Sequence, residues 1–461
     1  MLTKEYISEV KTNGNKDLKK LVQTKNDDKS IVFILENLGY LPDDFDDSWV
    51  QDLLKSENKK VRLNAIKTIG KGKNENNIAT LLQIAKKDKS TDVRREAVSS
   101  IGRMRNKKAI PALIGMLADN DPKIISQAIR GLLVFKGDET IDKNLKALIE
   151  HENETIQIVI RKEYFNKKNI SKDKLKHPES YDYLKNTVVL GAVQDILQQI
   201  PDECFHLTFT SPPYYNARDY SIYPSYKAYL KFLEEVFKLI YDKTKEGRFL
   251  IINTSPVIIS RISRQHSSKR YPIPFDIHHL LMKMGWEFID DIIWVKPEAS
   301  VKNRNAGFLQ HRKPLAYKPN ARTEYLMVYR KQTDKLIDWN MRQYSWNIVK
   351  ESKVKDGYET SNVWEIDPKF DKVHSAVFPI ALCKRVIEYY SFKNDLVFDP
   401  FAGSGTFGRT AKHLDRYFFL TEKETKYFKY MKSFMKKNNS NLSNIKKSKF
   451  LTLDKFKEKI R

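Results

Sequence analysis

The stretch Leu396-Val-Phe-Asp-Pro-Phe-Ala-Gly-Ser-Gly-Thr406 decides the fold of the second half of the chain. It opens with a short apolar run and continues into a loop with glycines at 403 and 405, and a third glycine follows at 408. This pattern predicts a buried strand that turns into a helix, with the glycines letting the backbone approach a ligand at the helix N-terminus. By itself, the pattern G-x-G-x-x-G is only weak evidence for a dinucleotide-binding site.

Short β-rich runs alternate with helical patterns on both sides of this stretch. The predicted strands are 187–190, 207–210, 249–253, 291–295, 325–329, 396–399 and 417–421, and the predicted helices lie near 226–241, 276–284, 379–390 and 408–413. Such alternation predicts an α/β fold with a mostly parallel sheet, whose chemistry lies at the carboxyl ends of the strands. Glu422 ends the strand after the glycine loop, where a carboxylate can hold ribose hydroxyls. That arrangement suits NAD and S-adenosylmethionine equally.

A second motif, Thr210-Ser-Pro-Pro-Tyr214, follows the apolar run 207–209. Two consecutive prolines cannot extend a strand, and they lack N–H groups, so the chain leaves in a fixed, extended conformation with free carbonyls. Ser211 and the Pro212 carbonyl can accept the two hydrogens of an exocyclic amine, while Tyr214 stacks on the ring. The motif therefore predicts a site for a flat molecule that carries an amine.

Together, the two motifs resemble those of the amino-methylating DNA methyltransferases, which use S-adenosyl-L-methionine to methylate cytosine N4 or adenine N6. The likeness runs from about residue 184 to 430 and includes 186–203, 292–297 and 363–379. Because the TSPPY motif precedes the glycine loop, the order is similar to that of the permuted β-type members. The resemblance implies a permuted Rossmann-like methyltransferase fold, with a target-recognition region at about 298–372.

The resemblance also assigns the site residues, with S-adenosyl-L-methionine as cofactor and no metal. The catalytic residues it implies are Ser211, Pro212, Pro213 and Tyr214. The cofactor-binding residues it implies are Asp399, Pro400, Phe401, Ala402, Gly403, Ser404, Gly405, Thr406, Glu422, His374, Phe378 and Pro379. Two positions depart from the family pattern, since Ala192 and His206 stand where an aspartate is usual; His206 is interpreted as structural.

The sequence favours cytosine N4 over adenine N6 as the group to be methylated. Serine before Pro-Pro-Tyr is typical of relatives that resemble the cytosine-N4 enzymes, and the absent carboxylate at Ala192 favours the same base. Adenine N6 stays open, because adenine N1 lies beside N6 as cytosine N3 lies beside N4. The cytosine-C5 route needs a nucleophilic cysteine after a proline, and neither Cys204 nor Cys383 follows one. Two cysteines are also too few for a disulfide scaffold or a four-cysteine zinc site.

The first half of the chain repeats with a period of 31–32 residues between positions 46 and 165. Apolar residues at i, i+3 and i+4 predict helical hairpins that stack into a short solenoid. The pattern D-x-V-R-x-x-A-x-x-x-I-G resembles HEAT-like repeats, an all-α domain that presents a surface and performs no chemistry. The predicted organisation is therefore a helical lead-in (1–45), the repeats (46–165), a polar linker (166–183), the catalytic domain (184–437) and a basic tail (438–461).

Lysine and arginine outnumber aspartate and glutamate by 83 to 58, a formal net charge of +25. This excess favours a polyanionic partner, although a lysine-rich organism would produce the same balance. We expect double-stranded DNA, with the target base flipped out of the helix, and a cognate restriction endonuclease as a further partner. The candidate DNA contacts are Arg218, Arg261, Arg264, Lys269, Arg270, Lys302, Arg304, Arg312 and Lys313.

No run approaches the ~20 apolar residues of a membrane span, and the first residues lack the apolar core of a signal peptide. We therefore expect a cytoplasmic, nucleoid-associated prokaryotic protein. Two rival functions remain open at this point. One is an NAD-dependent oxidoreductase that uses the glycines at 403–408, and the other is a DNA-binding scaffold without catalytic activity.

Overall fold

The computed structural model describes residues 2–42, 45–165, 176–216, 222–259, 263, 265–266, 268–301, 314–315, 319–354, 357–369, 377–437 and 447–460. The chain divides into two compact units, Met1–Ile170 and Ser171–Arg461. Within the described part of the chain, no helix is long and apolar enough to cross a lipid bilayer.

The described residues of the first unit form helices joined by short turns and include no strand. Its helices are α1 (Lys4–Asn13), α2 (Asn15–Thr24), α3 (Asp28–Asn37), α4 (Ser48–Leu53), α5 (Lys59–Gly72), α6 (Ile78–Lys87), α7 (Thr91–Arg103), α8 (Ile110–Gly115), α9 (Pro122–Leu133), α10 (Glu139–Lys146) and α11 (Glu154–Ile160). These helices confirm the hairpins predicted from the periodic apolar residues. The lead-in helices α1–α3 bury Ile7, Leu18 and Ile34 in the same core as the repeats.

Small residues and ion pairs join successive repeats of this unit. A Cβ added at Gly102 would lie 3.0 Å from the Cα of Gly131, so α7 and α9 approach closely at this point. The Arg62 guanidinium pairs with Asp88 at 2.8 Å, and Arg95 of α7 pairs with Asp121 at 2.7 Å. Each repeat thus buries its apolar face only against its neighbours, as a solenoid requires.

The second unit is a nine-stranded sheet with helices on both faces. Its strands are β1 (Thr187–Leu190), β2 (Phe205–Thr210), β3 (Thr244–Thr254), β4 (Val257–Ile259), β5 (Lys269–Tyr271), β6 (Trp286–Val295), β7 (Thr323–Lys331), β8 (Val363–Glu365), β9 (Leu396–Asp399), β10 (Tyr417–Glu422) and β11 (Lys449–Thr452). Its helices are α12 (Val193–Leu197), α13 (Tyr226–Lys243), α14 (Ile273–Met284), α15 (Ile337–Met341), α16 (Trp346–Glu351), α17 (Ile380–Tyr390), α18 (Thr406–His413), α19 (Thr425–Lys437) and α20 (Leu453–Ile460).

The strand order in the large sheet is β11-β1-β10-β9-β2-β3-β7-β6-β8, and β4 and β5 form a separate hairpin. All pairings in the large sheet are parallel except β3 with β7 and β6 with β7. One face is covered by apolar residues of α13, α14 and α20, and the other by residues of α17, α18 and α19. The predicted α/β fold and all seven predicted strands are confirmed.

Two predicted boundaries are wrong for the residues that the structure describes. The predicted tail contains β11, which pairs with β1 and extends the sheet, and α20, whose Phe456 is fully buried. Apolar residues spaced among the lysines give this segment a face to bury. Residues 176–183 of the predicted linker are attached to the second unit, since the Ser180 hydroxyl donates to the Cys204 carbonyl at 2.9 Å. The remainder, 166–175 and 438–446, lies outside the described residues.

Candidate active site

The candidate active site lies at the carboxyl ends of β2 and β9, which are parallel neighbours in the middle of the sheet. From this point β9 leads through α18 to β10 on one side, whereas β2 leads through α13 to β3 on the other. Ligands of open α/β sheets bind in the crevice where the strand connections diverge in this way. The TSPPY motif and the glycine loop follow these two strands, so the fold brings both motifs to one crevice.

Residues 211–214, which carry the predicted catalytic residues and are called the catalytic loop below, follow β2 without regular secondary structure. Pro212 is buried, and Ser211, Pro213 and Tyr214 are half-buried. A buried proline beside partly accessible neighbours gives the loop a fixed backbone and leaves its polar groups within reach of a ligand. The role of these groups in holding an amine stays a prediction.

The Tyr214 hydroxyl donates to Oε2 of Glu324 at 3.4 Å. The side chains of Ser211 and Ser255 lie close enough to this hydroxyl to lower its pKa slightly, against the larger effect of burial. Burial raises the pKa of Tyr214 well above its ordinary value, and the nearby carboxylate acts in the same direction. The phenol therefore keeps its proton at neutral pH.

The glycine loop depends on two residues with positive φ. Gly403 has φ 52° and its N–H donates to Oε2 of Glu422 at 2.8 Å. Gly405 has φ 72° and directly precedes α18, and a Cβ there would lie 2.7 Å from Sδ of Met431. Side chains are excluded at 405 by both backbone conformation and space. The loop is thus compact and anchored to the end of β10.

Two buried carboxyl groups flank this loop. Glu422 accepts from the Glu424 N–H at 2.8 Å in addition to its bond with the loop, and burial raises its pKa to about 7. Asp399 accepts from the Thr210 hydroxyl at 2.7 Å and from the Phe401 N–H at 3.1 Å. Burial also raises the pKa of Asp399 to about 7, against the effect of these hydrogen bonds. Both carboxyl groups consequently change charge near neutral pH.

The hydrogen bond between Thr210 and Asp399 joins the two motifs directly. Thr210 is the last residue of β2, immediately before Ser211, and Asp399 is the last residue of β9. Both side chains are buried. A shift of either loop would break this contact, so it fixes the catalytic loop relative to the glycine loop.

Replacing Thr210 with valine is expected to destabilise the protein by about 1–3 kcal/mol, because it leaves Asp399 without its side-chain donor in a buried environment. Thr208→Val is the matched control on the same strand. The Thr208 hydroxyl is buried and finds no hydrogen-bond partner among the described residues, so this change should be neutral or stabilising. Denaturant unfolding of both variants measures the difference. Equal losses in the two would contradict the structural role of the Thr210 bond.

Comparisons with known proteins agree with this geometry. Residues 205–433 match the family model described as DNA methylase, and residues 47–133 match the model for HEAT repeats. The chain carries a DNA methylase domain. The methylase domain belongs to the N6/N4 family, as the sequence predicted. The repeats of the first unit are HEAT repeats, which was also predicted.

Relatives of the methylase domain differ in length. The chain is 27% identical over 246 residues to the type II beta methyltransferase M.BslI from Bacillus sp. (strain NEB-606), a match covering 50% of this chain but 26% of that protein. It is 26% identical over 291 residues to the type II methyltransferase M.Cfr9I from Citrobacter freundii, a match that covers 56% of this chain and 90% of that protein. Among solved structures, PvuII DNA methyltransferase (cytosine-N4-specific) shares 18% sequence identity with this chain. That match covers 62% of this chain and 95% of the PvuII chain, with a TM-score of 0.41.

Two further predicted cofactor residues, Phe378 and Pro379, directly precede α17. Phe378 stacks on Phe209 of β2 with ring centroids 4.5 Å apart, so part of its ring is committed to the core. Pro379 is buried and precedes α17. His374 lies outside the described residues.

Two of the nine predicted DNA contacts are described. Lys269 and Arg270 are exposed on β5, which pairs with β4. The next residue, Tyr271, packs edge-on against Tyr215 at 4.9 Å between centroids, and Tyr215 follows the catalytic loop directly. The two basic side chains are therefore near the catalytic loop in the fold. Arg218, Arg261, Arg264, Lys302, Arg304, Arg312 and Lys313 lie outside the described residues.

The predicted target-recognition region (298–372) contains the predicted strand β7 and a further strand, β8, that was not predicted. It includes β7, whose residues 326–330 are buried between β3 and β6, and the edge strand β8. A buried central strand cannot contact DNA. Residues 326–330 are therefore excluded as DNA contacts, and target recognition by the remainder of the region stays a prediction.

His206 and Cys204 lie at the amino end of β2, Cys383 lies in α17, and all three side chains are buried. Nδ1 of His206 accepts from the Leu396 N–H at 3.0 Å, and burial lowers the pKa of this histidine well below its ordinary value. Burial raises the pKa of Cys204 to about 11 and that of Cys383 well above its usual range, so both remain protonated thiols. The structural interpretation of His206 agrees with these contacts.

Three residues of the site were not identified from the sequence. They are Thr210, Lys296 and Glu324, which contact predicted site residues or one another at the carboxyl ends of the central strands. A signal was present for Lys296, since it lies in the segment 292–297 that resembles the family. Glu324 carried no local signal, because it approaches Tyr214 only through the antiparallel pairing of β7.

Proposed function

We propose that this protein is a site-specific DNA methyltransferase, acting on the exocyclic amine of a flipped base in duplex DNA. We further propose that it serves a restriction–modification or orphan methylation system, with a cognate endonuclease as partner in the first case. The observation that carries the proposal is the hydrogen bond between Thr210 and Asp399, which holds an amine-binding loop beside a cofactor loop at the divergence point of the sheet. Methyl transfer between two substrates requires this proximity.

The residues around the glycine loop fit the cofactor. The Glu422 carboxyl lies at the end of β10 beside loop N–H groups, which is the set of groups that a ribose diol and an adenosyl moiety need. Asp399 and Phe378 line the opposite side, toward β2. When bound, S-adenosyl-L-methionine supplies an electrophilic methyl group on a sulfonium.

The catalytic loop prepares the amine to react. An exocyclic amine is a poor nucleophile because its lone pair is delocalised into the ring. In the proposed mechanism, the Ser211 hydroxyl and the Pro212 carbonyl accept its two hydrogens, which favours the pyramidal form with a localised lone pair. Tyr214 stacks on the base and stabilises the positive charge that develops on it. The acceptors must hold the nitrogen about 3–3.5 Å from the methyl carbon, in line with the bond that breaks.

A covalent intermediate on the protein is not part of this mechanism. The thiols of Cys204 and Cys383 are buried and protonated, and neither lies on the catalytic loop. A thiolate is the reactive form of a cysteine nucleophile. The direct transfer route to an amine therefore accounts for the residues present better than the cytosine-C5 route does.

Basic residues near the catalytic loop support DNA as the substrate. Lys269 and Arg270 project from the β4–β5 hairpin, where they can contact phosphates and position the duplex. The net charge of +25 favours association with a polyanion. We propose that the HEAT repeats add DNA affinity or a partner contact and are not required for the chemistry.

The proposed target is cytosine N4, with adenine N6 as the alternative. The Ser211 hydroxyl can donate to cytosine N3 or accept from N4, whereas a carboxylate at this position could only accept. Ala192, with no carboxylate, supports the same choice.

Incubation with duplex DNA and cofactor, followed by digestion and mass analysis of the nucleosides, is expected to yield N4-methylcytosine. The Ser211→Ala variant serves as the control for methylation already present in the DNA. N6-methyladenine as the sole product would contradict the choice of base and leave the fold and the amine mechanism unaffected.

The two rival functions predict different binding results. In equilibrium dialysis, the proposed function predicts binding of S-adenosyl-L-methionine, whereas an oxidoreductase would bind NAD tightly and not the methyl donor. Gel shifts with unmodified duplexes separate the second rival. A DNA-binding scaffold would shift DNA without transferring labelled methyl groups to any duplex.

A further inference from the structure

An ion pair lies beside Tyr214 at the catalytic edge of the sheet. Lys296 follows β6 directly and Glu324 is the second residue of β7, and their side chains form an ion pair. β7 runs antiparallel to β3, so its first residues lie at the same edge as the carboxyl ends of β2 and β3. Antiparallel insertion of β7 thus brings a carboxylate to the catalytic loop.

The pair is partly shielded from water and well anchored. The side chains of Lys296 and Glu324 are 18% and 17% exposed. The Lys296 ammonium lies 4.6 Å from the ring centroid of Trp294, and that indole donates to the Ile366 carbonyl at 2.7 Å. A long side chain held on a fixed ring gives the carboxylate of Glu324 a defined position.

One carboxylate oxygen of Glu324 faces Lys296 and the other accepts from the Tyr214 hydroxyl at 3.4 Å. We propose that Glu324, oriented by Lys296, is a positioning residue that fixes the plane of the Tyr214 ring against the flipped base. This inference rests on the proposed function and assigns a role to residues outside the TSPPY motif. A phenol that donates to a carboxylate is also a more electron-rich ring, which binds a base better as positive charge develops on it.

A double-mutant cycle tests the proposal, because coupling measures whether Glu324 acts through the Tyr214 hydroxyl. Tyr214→Phe and Glu324→Gln should each lower kcat for methyl transfer by about tenfold, while the dissociation constant for S-adenosyl-L-methionine stays within about twofold. The double variant should be no slower than Tyr214→Phe alone. If the Lys296–Glu324 ion pair only stabilised the pairing of β6 with β7, the reductions in kcat of the two single variants would multiply in the double variant, and the melting temperature would fall.

Glu246→Gln is the matched control. Glu246 forms a comparable ion pair with Lys335 at 2.7 Å, and it lies in the amino-terminal part of β3, far along that strand from the catalytic edge. Its substitution should leave kcat unchanged.

Lys296→Met provides a second route if Glu324→Gln fails to fold. It should lower kcat less than Glu324→Gln does, and it should have no further effect in the Tyr214→Phe background. Full activity of the Glu324→Gln variant, or independent effects of Glu324 and Tyr214, would overturn the proposal. Absence of methyl transfer by the wild-type protein would instead overturn the proposed function, so the two failures are distinguishable.

Discussion

Tyr214→Ala and Ser211→Ala are each expected to reduce methyl transfer to DNA by about 100-fold or more, with cofactor affinity changed less than about threefold. Loss of Ser211 removes an acceptor aimed at the amine, and positioned hydrogen-bonding groups are typically worth a factor of about 10²–10³ in rate. Loss of Tyr214 removes the stacking surface for the base. Both residues lie on the catalytic loop, whereas the cofactor groups lie on the loops after β9 and β10.

Initial rates at saturating cofactor, together with calorimetric titration of S-adenosyl-L-methionine, measure the two effects separately. Tyr215→Phe is a suitable control, since the Tyr215 ring packs in the aromatic cluster with Tyr226 and Tyr271 and would keep that packing. Full activity in both alanine variants would exclude the TSPPY motif from catalysis.

Glu422→Ala is expected to weaken cofactor binding by about 10- to 100-fold, because hydrogen bonds to a charged group are worth about 1.5–3 kcal/mol.

The carboxyl group of Glu422 also predicts that cofactor affinity depends on pH. Its pKa is raised to about 7 by burial, so the free protein holds it largely protonated below neutral pH. Ribose hydroxyls donate to the ionised form, so binding releases a proton, and affinity should fall as pH drops below 7 and level off above about 8.

Asp399 has a pKa of about 7 as well, so Glu422→Gln should reduce the pH dependence without abolishing it. Glu424→Gln is the control, because it keeps the backbone N–H that Glu424 donates to Glu422 and removes an exposed carboxylate whose effect on the pKa of Glu422 is the smallest of the contributing causes. Titrations between pH 5.5 and 8.5 measure the dissociation constant. A Glu422→Gln variant that binds like the wild type at every pH would show that the ribose is held elsewhere.

Local patterns predicted the central part of the fold because short apolar runs bounded by turn residues define buried parallel strands. The segment before Ser211 and the segment before Pro400 are of this kind, and both end at the divergence point of the sheet. The HEAT repeats were recognisable because each unit repeats the same apolar positions. These features depend on residues that are close in sequence.

Features that depend on distant pairing were not predicted. Lysines flank the short apolar part of β11, so the local sequence did not indicate a strand. The pairing of β11 with β1 shows that this segment belongs to the sheet. Glu324 lies 110 residues from Tyr214 along the chain and reaches it through the register of β7 with β3. The hydrogen bond between Thr210 and Asp399 spans 189 positions. Spacing along the sequence carries no information on such contacts.

Transfer of a labelled methyl group from S-adenosyl-L-methionine to unmodified duplex DNA tests directly whether this protein methylates an exocyclic amine of DNA. We expect the wild-type protein to place the label on an exocyclic amine and to release one S-adenosylhomocysteine for each methyl group transferred. Ser211→Ala should reduce both by about 100-fold or more while still binding cofactor. Label on cytosine C5, or no transfer by a protein that binds both cofactor and DNA, would contradict this expectation.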